Sequence, residues 1–503
     1  MKEQEKNAEQ KDENRLVQER LRKLEDIRKL GIAPYPHSYE KKNCASELRS
    51  KYASLKPHEV TSDSVSVAGR IMAVRGMGRL TFAQLQDSSG KIQLSFKEDA
   101  IGKECYEFLK KLDIGDFIGV QGIIFCTKTG ELTVDVGKYL LLSKSLKPLP
   151  EKFHGLKDKE MRYRQRYLDL VVNPEVKQVF EKRAVIIDEI RGFLKENGFF
   201  EVETPLLQSV YGGAMTRPFT THMNALNINL FLSISPELYL KRLVVGGFEK
   251  VFTICKNFRN EGIDAFHNPE FTMLEFYYAY ADYNELMKMT EQLLERLMKK
   301  LNIPQSIEYG GKKISLKMPF KRIKFRDIVL EKTGIDINKA NDYEKLKNEI
   351  VLKKLKALDI KGKTHYAALL DELYKRIVRP DIIQPTFLTH YPVQMIPLAK
   401  RNEEDKSKIN TFQLLIDGSE LVKAYDELND PVEQEERLKE QAVFLGKGTD
   451  SEAMPMDEDF VNALKIGMPP TAGYGLGVDR LVMILTQQDS IRDVIFFPFM
   501  KPE

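Results

Sequence analysis

The feature that most constrains this chain is a pair of apolar segments joined by a short polar stretch. The segments span residues 251–258 and 271–277. Arg259 and Glu261 follow the first segment, and His267 shortly precedes the second. Short apolar runs of this kind, bounded by polar residues, predict two paired strands. An arginine at the end of a buried strand needs an anionic partner, and a phosphate fits its planar fork.

The second segment has two chemically different faces, because side chains alternate along a strand. One face is apolar and suits a core, whereas the other carries an aromatic ring, a carboxylate and a phenol in a row. These groups suit a base, a cation and, beside Arg259, a phosphate, although an ordinary hairpin with one ion pair remains the alternative. The apolar face has Thr272, Leu274 and Phe276, and the polar face has Phe271, Glu275 and Tyr277.

A glycine-rich stretch forms a second nucleotide-type signal. Residues 473–480 contain three alternating glycines and end at Arg480, and an apolar run over residues 481–485 follows. The pattern predicts a helix that opens next to Arg480, where anions are favoured. The glycine spacing is neither that of a dinucleotide fingerprint nor that of a phosphate loop, so the stretch alone is a weak signal.

A third segment begins at Asn173-Pro174, where proline occupies the first position of a predicted helix. Apolar residues then recur at helical spacing up to Leu194, and Gly198 ends the pattern. Residues 199–205 predict a strand that ends at Pro205.

These three segments, in this order, resemble the three motifs of class II aminoacyl-tRNA synthetases. Residues 162–170, 236–243, 258–263 and 427–431 resemble the lysyl-tRNA synthetases of bacterial type, and the resemblance runs from about residue 20 to the C-terminus. It implies a lysine–tRNA ligase that converts lysine and ATP to lysyl-adenylate and pyrophosphate. The lysine then passes to the 3′ end of tRNA(Lys). It also implies Mg²⁺ as cofactor and a homodimer in which the first motif packs across the two-fold axis.

We therefore expect an α+β multidomain protein, with an N-terminal OB-fold β-barrel and a class II catalytic domain whose antiparallel β-sheet is flanked by helices. The expected domains are a helical extension over residues 1–60, an OB-fold anticodon-binding domain over 61–150 and the catalytic domain over 151–503. A helical insertion is expected at about 303–395. Residues 1–30 predict a charged helix, either simply solvated or, as the family implies, facing tRNA.

Five short strand patterns between residues 65 and 136 predict the barrel. Strand parity places Phe82 and Gln93 on its outer face, where a ring beside an amide suits base stacking and base reading. The alternative is an incidental surface patch. By resemblance, Arg75 and Glu131 join this anticodon surface.

Composition sets broader limits. The net charge of +4 is too small to indicate nucleic-acid binding by itself. The four cysteines show no C-x-x-C pattern and predict reduced thiols rather than a disulfide framework or a zinc site. No apolar run reaches transmembrane length, and the charged N-terminus lacks the apolar core of a secretory signal, so we expect a cytoplasmic protein that does not enter a membrane.

Two arginines are the predicted catalytic residues, because the reaction needs positioning and charge stabilisation rather than a covalent nucleophile. We assign Arg259 to the α-phosphate and the lysine carboxylate, and Arg480 to the γ-phosphate. Phe271 is expected to stack on adenine, Glu261 to contact the adenine edge and His267 to contact the triphosphate tail.

Selection of lysine needs carboxylates, since a desolvated ammonium left unpaired is costly. The resemblance assigns Glu275, Glu427 and Tyr277 to the side-chain end of the substrate. It assigns Glu237 and the backbone of Gly213 to the α-amino end. Each glutamate has an alternative role as a structural ion-pair partner. The predicted lysine site also includes Lys423 and Tyr425.

Glu420 is the predicted carboxylate for magnesium, and at four other positions the chain departs from the usual family pattern. Gln413 replaces a second glutamate and Lys423 replaces an asparagine, so each makes the pocket more positive by one charge. We expect weaker magnesium binding and an added contact from Lys423 to the substrate carboxylate or a phosphate. Glu420 and Glu427 can line one site only if a β-bulge intervenes. The remaining departures are Gln394 for glutamate and Ser233 for arginine.

Three other functions compete with this interpretation. An aspartyl or asparaginyl specificity requires a basic or neutral pocket, which three glutamates disfavour. A paralogue that transfers lysine to a protein lacks the N-terminal barrel predicted here. A catalytically inactive regulatory or RNA-binding relative is favoured by Ser233, Gln413 and Lys423, but it does not explain the retained motif residues.

Overall fold

A computed structural model of the chain describes residues 2–150, 156, 158–355, 358, 360, 362–448 and 450–502, with side chains from residue 11 onward except residue 12. The chain divides into two compact units, residues 1–157 and 158–503. Residue 151, the predicted start of the catalytic domain, lies outside the described residues. The boundaries predicted near residues 60 and 150 therefore remain predictions.

The N-terminal unit is built around a closed five-stranded barrel with the strand order β1-β2-β3-β5-β4. This is the OB-fold barrel expected from the sequence. Its helices are α1 (Lys2–Lys29), α2 (Ala45–Lys51), α3 (Glu98–Ile101) and α4 (Lys103–Leu109). Its strands are β1 (Val60–Met77), β2 (Leu80–Gln86), β3 (Lys91–Lys97), β4 (Phe117–Cys126) and β5 (Leu132–Ser143).

Alternation along β2 and β3 explains how the barrel forms its interior. Ala83, Leu85, Ile92 and Leu94 are all buried in the barrel core. Phe82, Gln84, Gln86, Lys91 and Gln93 alternate with them and are half-buried, as the strand pattern predicts, whereas Ser95 is buried. Ile27 of α1 is fully buried in the same core, so this part of the helix is not a solvated arm.

The C-terminal unit contains eleven α-helices and thirteen strands among the described residues. The helices are α5 (Lys159–Arg164), α6 (Arg166–Val172), α7 (Pro174–Glu196), α8 (Glu237–Val245), α9 (Tyr283–Leu301), α10 (Phe325–Thr333), α11 (Tyr343–Leu352), α12 (Tyr366–Leu373), α13 (Pro431–Gly446), α14 (Glu458–Ile466) and α15 (Val478–Thr486). The strands are β6 (Phe200–Glu201), β7 (Leu207–Gln208), β8 (Thr220–Met223), β9 (Ile228–Leu232), β10 (Lys250–Phe258), β11 (Glu270–Ala279), β12 (Ser306–Tyr309), β13 (Lys312–Ser315), β14 (Lys321–Lys324), β15 (Thr386–Thr389), β16 (Thr411–Ile416), β17 (Ser419–Asp426) and β18 (Thr471–Gly477).

Eight strands form the central sheet of this unit in the order β14-β15-β16-β17-β18-β11-β10-β6. All neighbouring pairs are antiparallel except β14 with β15 and β10 with β6. Leu274 and Phe276 on one face of β11 pack into a core with α7, α9 and α15. Tyr277 on the opposite face packs into a second core with α8 and with helices of residues 303–395. The sheet is therefore covered by helices on both faces, as expected.

Three sequence predictions differ from the structure in detail. The predicted strand over residues 199–205 pairs only at β6, because Pro205 and its neighbours leave the sheet. The glycine-rich stretch is itself strand β18, and the helix begins only at Val478. Residues 303–395 are not purely helical, since β14 and β15 extend the central sheet. These four-residue strands are too short to produce a recognisable alternation.

A β-bulge interrupts β17, as the parity of the two glutamates requires. Leu414 pairs with Val422, whereas Leu415 pairs with Glu420, so Leu421 is the extra residue. The bulge shifts the alternation by one residue. Glu420 therefore lies on the same face of the sheet as Lys423 and Tyr425.

Candidate functional site

Two rows of paired residues cross the sheet and build the floor of the candidate site. In the first row, Gln413 pairs with Lys423, Lys423 with Gly475, and Gly475 with Glu275. In the second row, Tyr425 and Tyr277 pair with Gly473 from opposite sides. Residues paired across strands share a face, so the predicted lysine-binding side chains of β11 and β17 lie together.

Strand β18 separates these side chains with glycines, and the missing side chains leave room for the carboxylates. A Cβ atom at Gly473 would lie 1.9 Å from Glu427 Oε1 and 2.7 Å from the Tyr277 ring. At Gly475 the nearest atom would be Met273 Cε at 3.4 Å, so the floor is open between Lys423 and Glu275. Two strand spacings place these two backbones about 10 Å apart. The gap accommodates a small substrate.

The three predicted glutamates are all buried, with 4% of Glu237, 4% of Glu275 and 1% of Glu427 exposed. Ser235 Oγ donates to Glu275 at 2.9 Å, and Tyr425 OH donates to the Glu237 carboxylate at 2.9 Å. Charges buried to this degree are uncommon unless they are paired, so the cluster is more than a set of surface ion pairs.

Burial controls the ionisation of this cluster. Burial, with the nearby Glu237 carboxylate, raises the pKa of Glu275 to about 8 against the opposing effect of Ser235, Arg259 and Lys241. Burial likewise raises the pKa of Glu427 well above its ordinary value, although Lys241 opposes the shift. At neutral pH Glu275 is protonated in the free protein. An arriving cation favours its charged form.

Gly213 and Glu237 are in contact at the other end of the pocket. Gly213 has a φ of +84°, a conformation that favours glycine, and a Cβ there would lie 2.8 Å from both Glu237 Cβ and Ser235 Oγ. Both the conformation and the lack of space require glycine. The backbone of Gly213 therefore lies directly beside the Glu237 side chain, as the sequence predicts.

The predicted nucleotide residues form a second group beside the glutamates. The guanidinium of Arg259 lies 5.0 Å from the ring centroid of Phe271. Arg480 donates to the Glu420 carbonyl oxygen at 2.8 Å and to His267 Nε2 at 3.1 Å. These contacts bring both arginines, the histidine and the stacking ring to one end of the site.

This group is electropositive. Burial lowers the pKa of Arg480, Glu420 opposes the shift, and the positive charges of Arg259 and Arg379 lower the pKa further. His267 Nδ1 is 2.8 Å from Asp264 Oδ2, so its second nitrogen can accept from Arg480 when the ring is neutral. A cluster of guanidinium groups of this kind suits a polyanion such as a triphosphate.

Glu261 is placed differently from the other nucleotide residues. Its side chain is exposed and accepts a short hydrogen bond from Thr216 Oγ1. It lies in the segment after β10, close to the predicted adenine-stacking residue in sequence but not on the sheet face.

The donor atoms near Glu420 suit a metal ion that arrives with a nucleotide. The Gln413 amide oxygen accepts from Tyr374 OH at 3.0 Å and from Tyr391 OH at 2.7 Å, so it is already engaged. Within the described residues, no three histidine, cysteine, aspartate or glutamate side chains are grouped as a metal cage. Magnesium is often held by one or two carboxylates together with phosphates and water. One carboxylate, Glu420, fits that arrangement.

The other two departures from the family pattern lie outside the pocket floor. Ser233 is buried and its hydroxyl donates to Asn257 Oδ1 at 3.2 Å, which suits a packed polar contact. Gln394 is exposed. Neither side chain reaches the glutamate cluster through a hydrogen bond in the described part of the chain.

The four residues predicted to contact the anticodon lie on the barrel. Arg75 pairs across strands with Phe82, and Gln93 Nε2 donates to Thr133 Oγ1 at 3.0 Å. Glu131 accepts from Arg49 at 3.0 Å on the protein surface. Arg75 is exposed and the Phe82 ring is half-buried on the outer face, as the strand parity predicts.

A cavity of about 640 Å³ elsewhere in the C-terminal unit shares only Glu427 with the predicted site. A half-buried carboxylate of its lining, Asp426, accepts from the backbone of Tyr283 at 2.7 Å and from Asn410 Nδ2 at 2.8 Å. Asp426 is therefore already paired within the protein, and Glu427 is the member of the glutamate cluster that also lines this cavity.

Sequence reasoning assigned no role to several residues that complete the site. Lys241 bridges Glu237 and Glu427, and its position one helical turn after Glu237 is a signal that the sequence contains. Arg379 and the phenols of Tyr374 and Tyr391 come from the segment expected to be a helical insertion. The proximity of the two phenols to Gln413 and of Arg379 to Arg480 depends on tertiary packing that no local pattern predicts.

Comparison with known proteins agrees with this architecture. Residues 158–501 match the family described as tRNA synthetases class II (D, K and N), and residues 65–142 match the OB-fold nucleic acid binding domain. The chain therefore belongs to the class II tRNA synthetases.

Similar curated proteins cover nearly the whole chain. The lysine–tRNA ligase of Thermotoga maritima is 49% identical over 97% of this chain and 96% of its own length. That of Pelotomaculum thermopropionicum is 48% identical over 98% of this chain and 96% of its own length. That of Campylobacter hominis is 46% identical over 97% of this chain and 98% of its own length.

We predict that Glu275 makes lysine affinity dependent on pH. A substrate ammonium has to displace a proton from this carboxyl, so the lysine KM of the unmodified protein should fall about tenfold between pH 6.5 and pH 8. The Glu275→Gln variant should have a higher KM that lacks this dependence. Lysine-dependent pyrophosphate exchange across this pH range measures both effects.

The Glu275 carboxyl should also make the stability of the free protein depend on pH, which gives an independent check. Between its ordinary pKa and about 8 the folded state retains a proton that the unfolded state has lost, so stability falls as pH rises. Glu275→Gln removes that loss and should melt at a higher temperature than the unmodified protein at pH 8. If KM and melting temperature depend on pH in the same way in Glu275→Gln and in the unmodified protein, the assignment of Glu275 as the titrating, lysine-binding carboxyl is contradicted.

Proposed function

We propose that this chain is a lysine–tRNA ligase that activates L-lysine with ATP and transfers it to the 3′ end of tRNA(Lys) for translation. The observation that carries the proposal is a set of three buried glutamates beside the arginines of the nucleotide end: Glu275 on β11, Glu237 at the start of α8 and Glu427 directly after β17. A diamino acid has two ammonium groups for the carboxylates and one carboxylate for Arg259. The names of the full-length relatives support the same substrate.

In the first step, an oxygen of the lysine carboxylate attacks the α-phosphorus of ATP, and the bond to the leaving pyrophosphate breaks. Arg259 holds the attacking carboxylate and the α-phosphate, and Arg480 with His267 holds the far end of the triphosphate. Charge on the phosphoryl oxygens increases in the transition state, so fixed guanidinium groups lower the barrier. Phe271 orients the adenine by stacking.

In the second step, a terminal ribose hydroxyl of tRNA attacks the carbonyl carbon of the adenylate, and AMP leaves. The same residues hold the adenylate in place, so the reaction proceeds by positioning without a covalent enzyme intermediate. Magnesium, when bound with ATP at Glu420, supplies neutralisation of phosphate charge.

Recognition of the substrate side chain is assigned to Glu275, Glu427 and Tyr277, and recognition of the α-amino group to Glu237 and the Gly213 backbone. Tyr425 supports Glu237 through its hydroxyl, and Lys423 reaches the carboxylate or α-phosphate from the opposite strand. An uncharged analogue would leave buried carboxylates unpaired, so discrimination against it should be strong.

The same buried carboxylates disfavour the alternative specificities. An aspartate substrate would place an acid beside three glutamates, which electrostatic repulsion opposes. The barrel present at residues 65–142 disfavours the paralogue that modifies proteins. The intact arrangement of Arg259, His267 and Arg480 disfavours a catalytically inactive relative.

Two further proposals concern assembly and location. Phe200, Leu206 and Leu207 flank Pro205 and are 59%, 41% and 55% exposed, and apolar exposure of this kind marks an interaction surface. It supports a homodimer built through the first motif. None of the helices described is long and apolar enough to cross a bilayer. We propose a cytoplasmic location because the proposed function belongs to translation.

The test of the function is lysine-dependent exchange of pyrophosphate into ATP, with aspartate and asparagine as comparison substrates. We predict that Glu427→Gln lowers kcat/KM for lysine at least about a hundredfold, because removal of one partner of a buried charge pair is severe. ATP affinity should change less than about threefold. Phe271→Ala is the matched control, since it should weaken ATP binding and spare lysine recognition. Equal losses in both variants would contradict the assigned roles.

We predict that Phe82→Ala weakens tRNA recognition without affecting lysine activation. Loss of one base-stacking ring costs about 1–3 kcal/mol, so the KM for tRNA should rise about ten- to hundredfold. Phe117→Ala, which removes another partly exposed ring of the barrel, should leave that KM unchanged. Aminoacylation and pyrophosphate exchange, measured on the same preparations, separate the two steps. Similar effects of the two substitutions would exclude Phe82 from a specific role.

We predict that Gln413→Glu lowers the magnesium concentration needed for half-maximal activity severalfold, because it restores a second carboxylate near Glu420. Tyr374 and Tyr391 can donate to the new carboxylate as they do to the amide. Gln394→Glu, the same change at an exposed position, is the control and should have no effect. Identical magnesium titrations of the unmodified protein and Gln413→Glu would remove the hypothesis.

A further inference from the structure

Lys241 is a fully buried cation in the middle of the glutamate cluster. It lies on α8 one turn after Glu237, and none of its side-chain surface is exposed. Its ammonium lies 2.6 Å from Glu237 Oε1 and also contacts Glu427 Oε2. Tyr425 and Phe460 contribute ring faces 5.9 and 5.6 Å away. The ammonium is enclosed by two carboxylates and two rings.

A lysine in such a position requires compensation. Burial by itself would lower the pKa of Lys241, but Glu237 and Glu427 outweigh that effect and hold the pKa above its ordinary value. The ammonium therefore stays charged at every pH at which the enzyme would work. It is a permanent positive charge against which the two glutamates are placed.

The contacts of Lys241 divide the oxygens of Glu427 between two directions. Oε2 faces the ammonium, whereas Oε1 lies over Gly473 and beside the Tyr277 ring. No described group donates a hydrogen bond to Oε1. We take this buried oxygen, which has no donor among the described groups, to face the place where the substrate side chain would lie.

The charges of the pocket then match a diamino acid. With all three glutamates ionised, the cluster carries three negative charges and Lys241 one positive charge, which leaves two negative charges. Two ammonium groups of the substrate neutralise this remainder, and the substrate carboxylate is neutralised separately by Arg259. Without Lys241 one buried carboxylate would remain uncompensated and would take up a proton instead.

We propose that Lys241 is a positioning and specificity-determining residue, a resident counter-ion that compensates the negative charge of Glu237 and Glu427 and leaves one oxygen of Glu427 directed toward the substrate. The inference rests on the proposed lysine activation and adds a residue to it. Lys241 touches neither reacting atoms nor nucleotide, so its effect is carried through the two glutamates.

The test is the Lys241→Met variant, which removes the ammonium and keeps an unbranched apolar side chain. Its lysine KM in pyrophosphate exchange should rise at least about tenfold at pH 6.5, because an extra proton has to leave before the substrate binds. The ratio to the unmodified protein should shrink as pH rises to 8.5. The ATP KM should stay within about twofold. Lys241→Arg retains the charge and should retain the original pH profile if it folds.

A double variant keeps the test decisive if Lys241→Met does not fold. Lys241→Met with Glu237→Gln leaves two carboxylates for the two ammonium groups of the substrate and no buried ion pair to disrupt. In Glu237→Gln alone, Lys241 neutralises one of the two remaining carboxylates, so only one net negative charge is left for the substrate. The lysine KM of the double variant should therefore be no higher than that of Glu237→Gln alone. A substantially higher KM in the double variant would overturn the proposal.

The outcomes separate this inference from the function itself. Lysine-dependent exchange by the unmodified protein supports the function whatever Lys241 does. A Lys241→Met variant whose lysine KM has the same value and pH dependence as the unmodified protein would overturn only the role of Lys241. A uniform loss of kcat and thermal stability with no shift in the pH profile would indicate a purely structural role and would also overturn it.

Discussion

Compensation of buried negative charge is the constraint on which the C-terminal unit depends. Carboxylates within a sheet packed on both faces are tolerated only when donors and cations surround them. Ser235, Tyr425 and Lys241 provide these partners in the free protein. The remaining imbalance is what a cationic substrate can satisfy. The free-energy cost of the buried negative charge in the free protein and the proposed affinity for a diamino acid therefore have the same origin.

The glycines of β18 make this arrangement sterically possible. A strand in the middle of a sheet normally projects side chains toward both faces. Here the positions at Gly473 and Gly475 project nothing, and side chains from β11 and β17 converge over them. Glycine is destabilising inside a strand, so its presence at Gly473 reflects the close approach of Glu427 and not strand preference, whereas Gly475 keeps the floor open between Lys423 and Glu275.

Much of the fold and most of the candidate site follow from sequence. The strands around Arg259 and Phe271, the barrel strands and the outward position of Phe82 all depend on local alternation, which a sequence displays directly. The need for a bulge followed from the seven-residue separation of Glu420 and Glu427. Other features depend on packing between distant segments. The contacts of Tyr374 and Tyr391 with Gln413, the sheet strands hidden in residues 303–395 and the enclosure of Lys241 leave no comparable periodic signal.

The extra residue at Leu421 divides β17 into two halves whose side chains alternate in opposite phase. The half that contains Glu420 and the half that contains Lys423 and Tyr425 are offset by one residue, which reverses the alternation between them. The insertion of a single residue therefore brings Glu420 onto the face that carries Lys423 and Tyr425, which an uninterrupted strand would place on the opposite face. One irregular residue thus gathers groups for two different ligand ends, a phosphate and an amino acid, along a single strand.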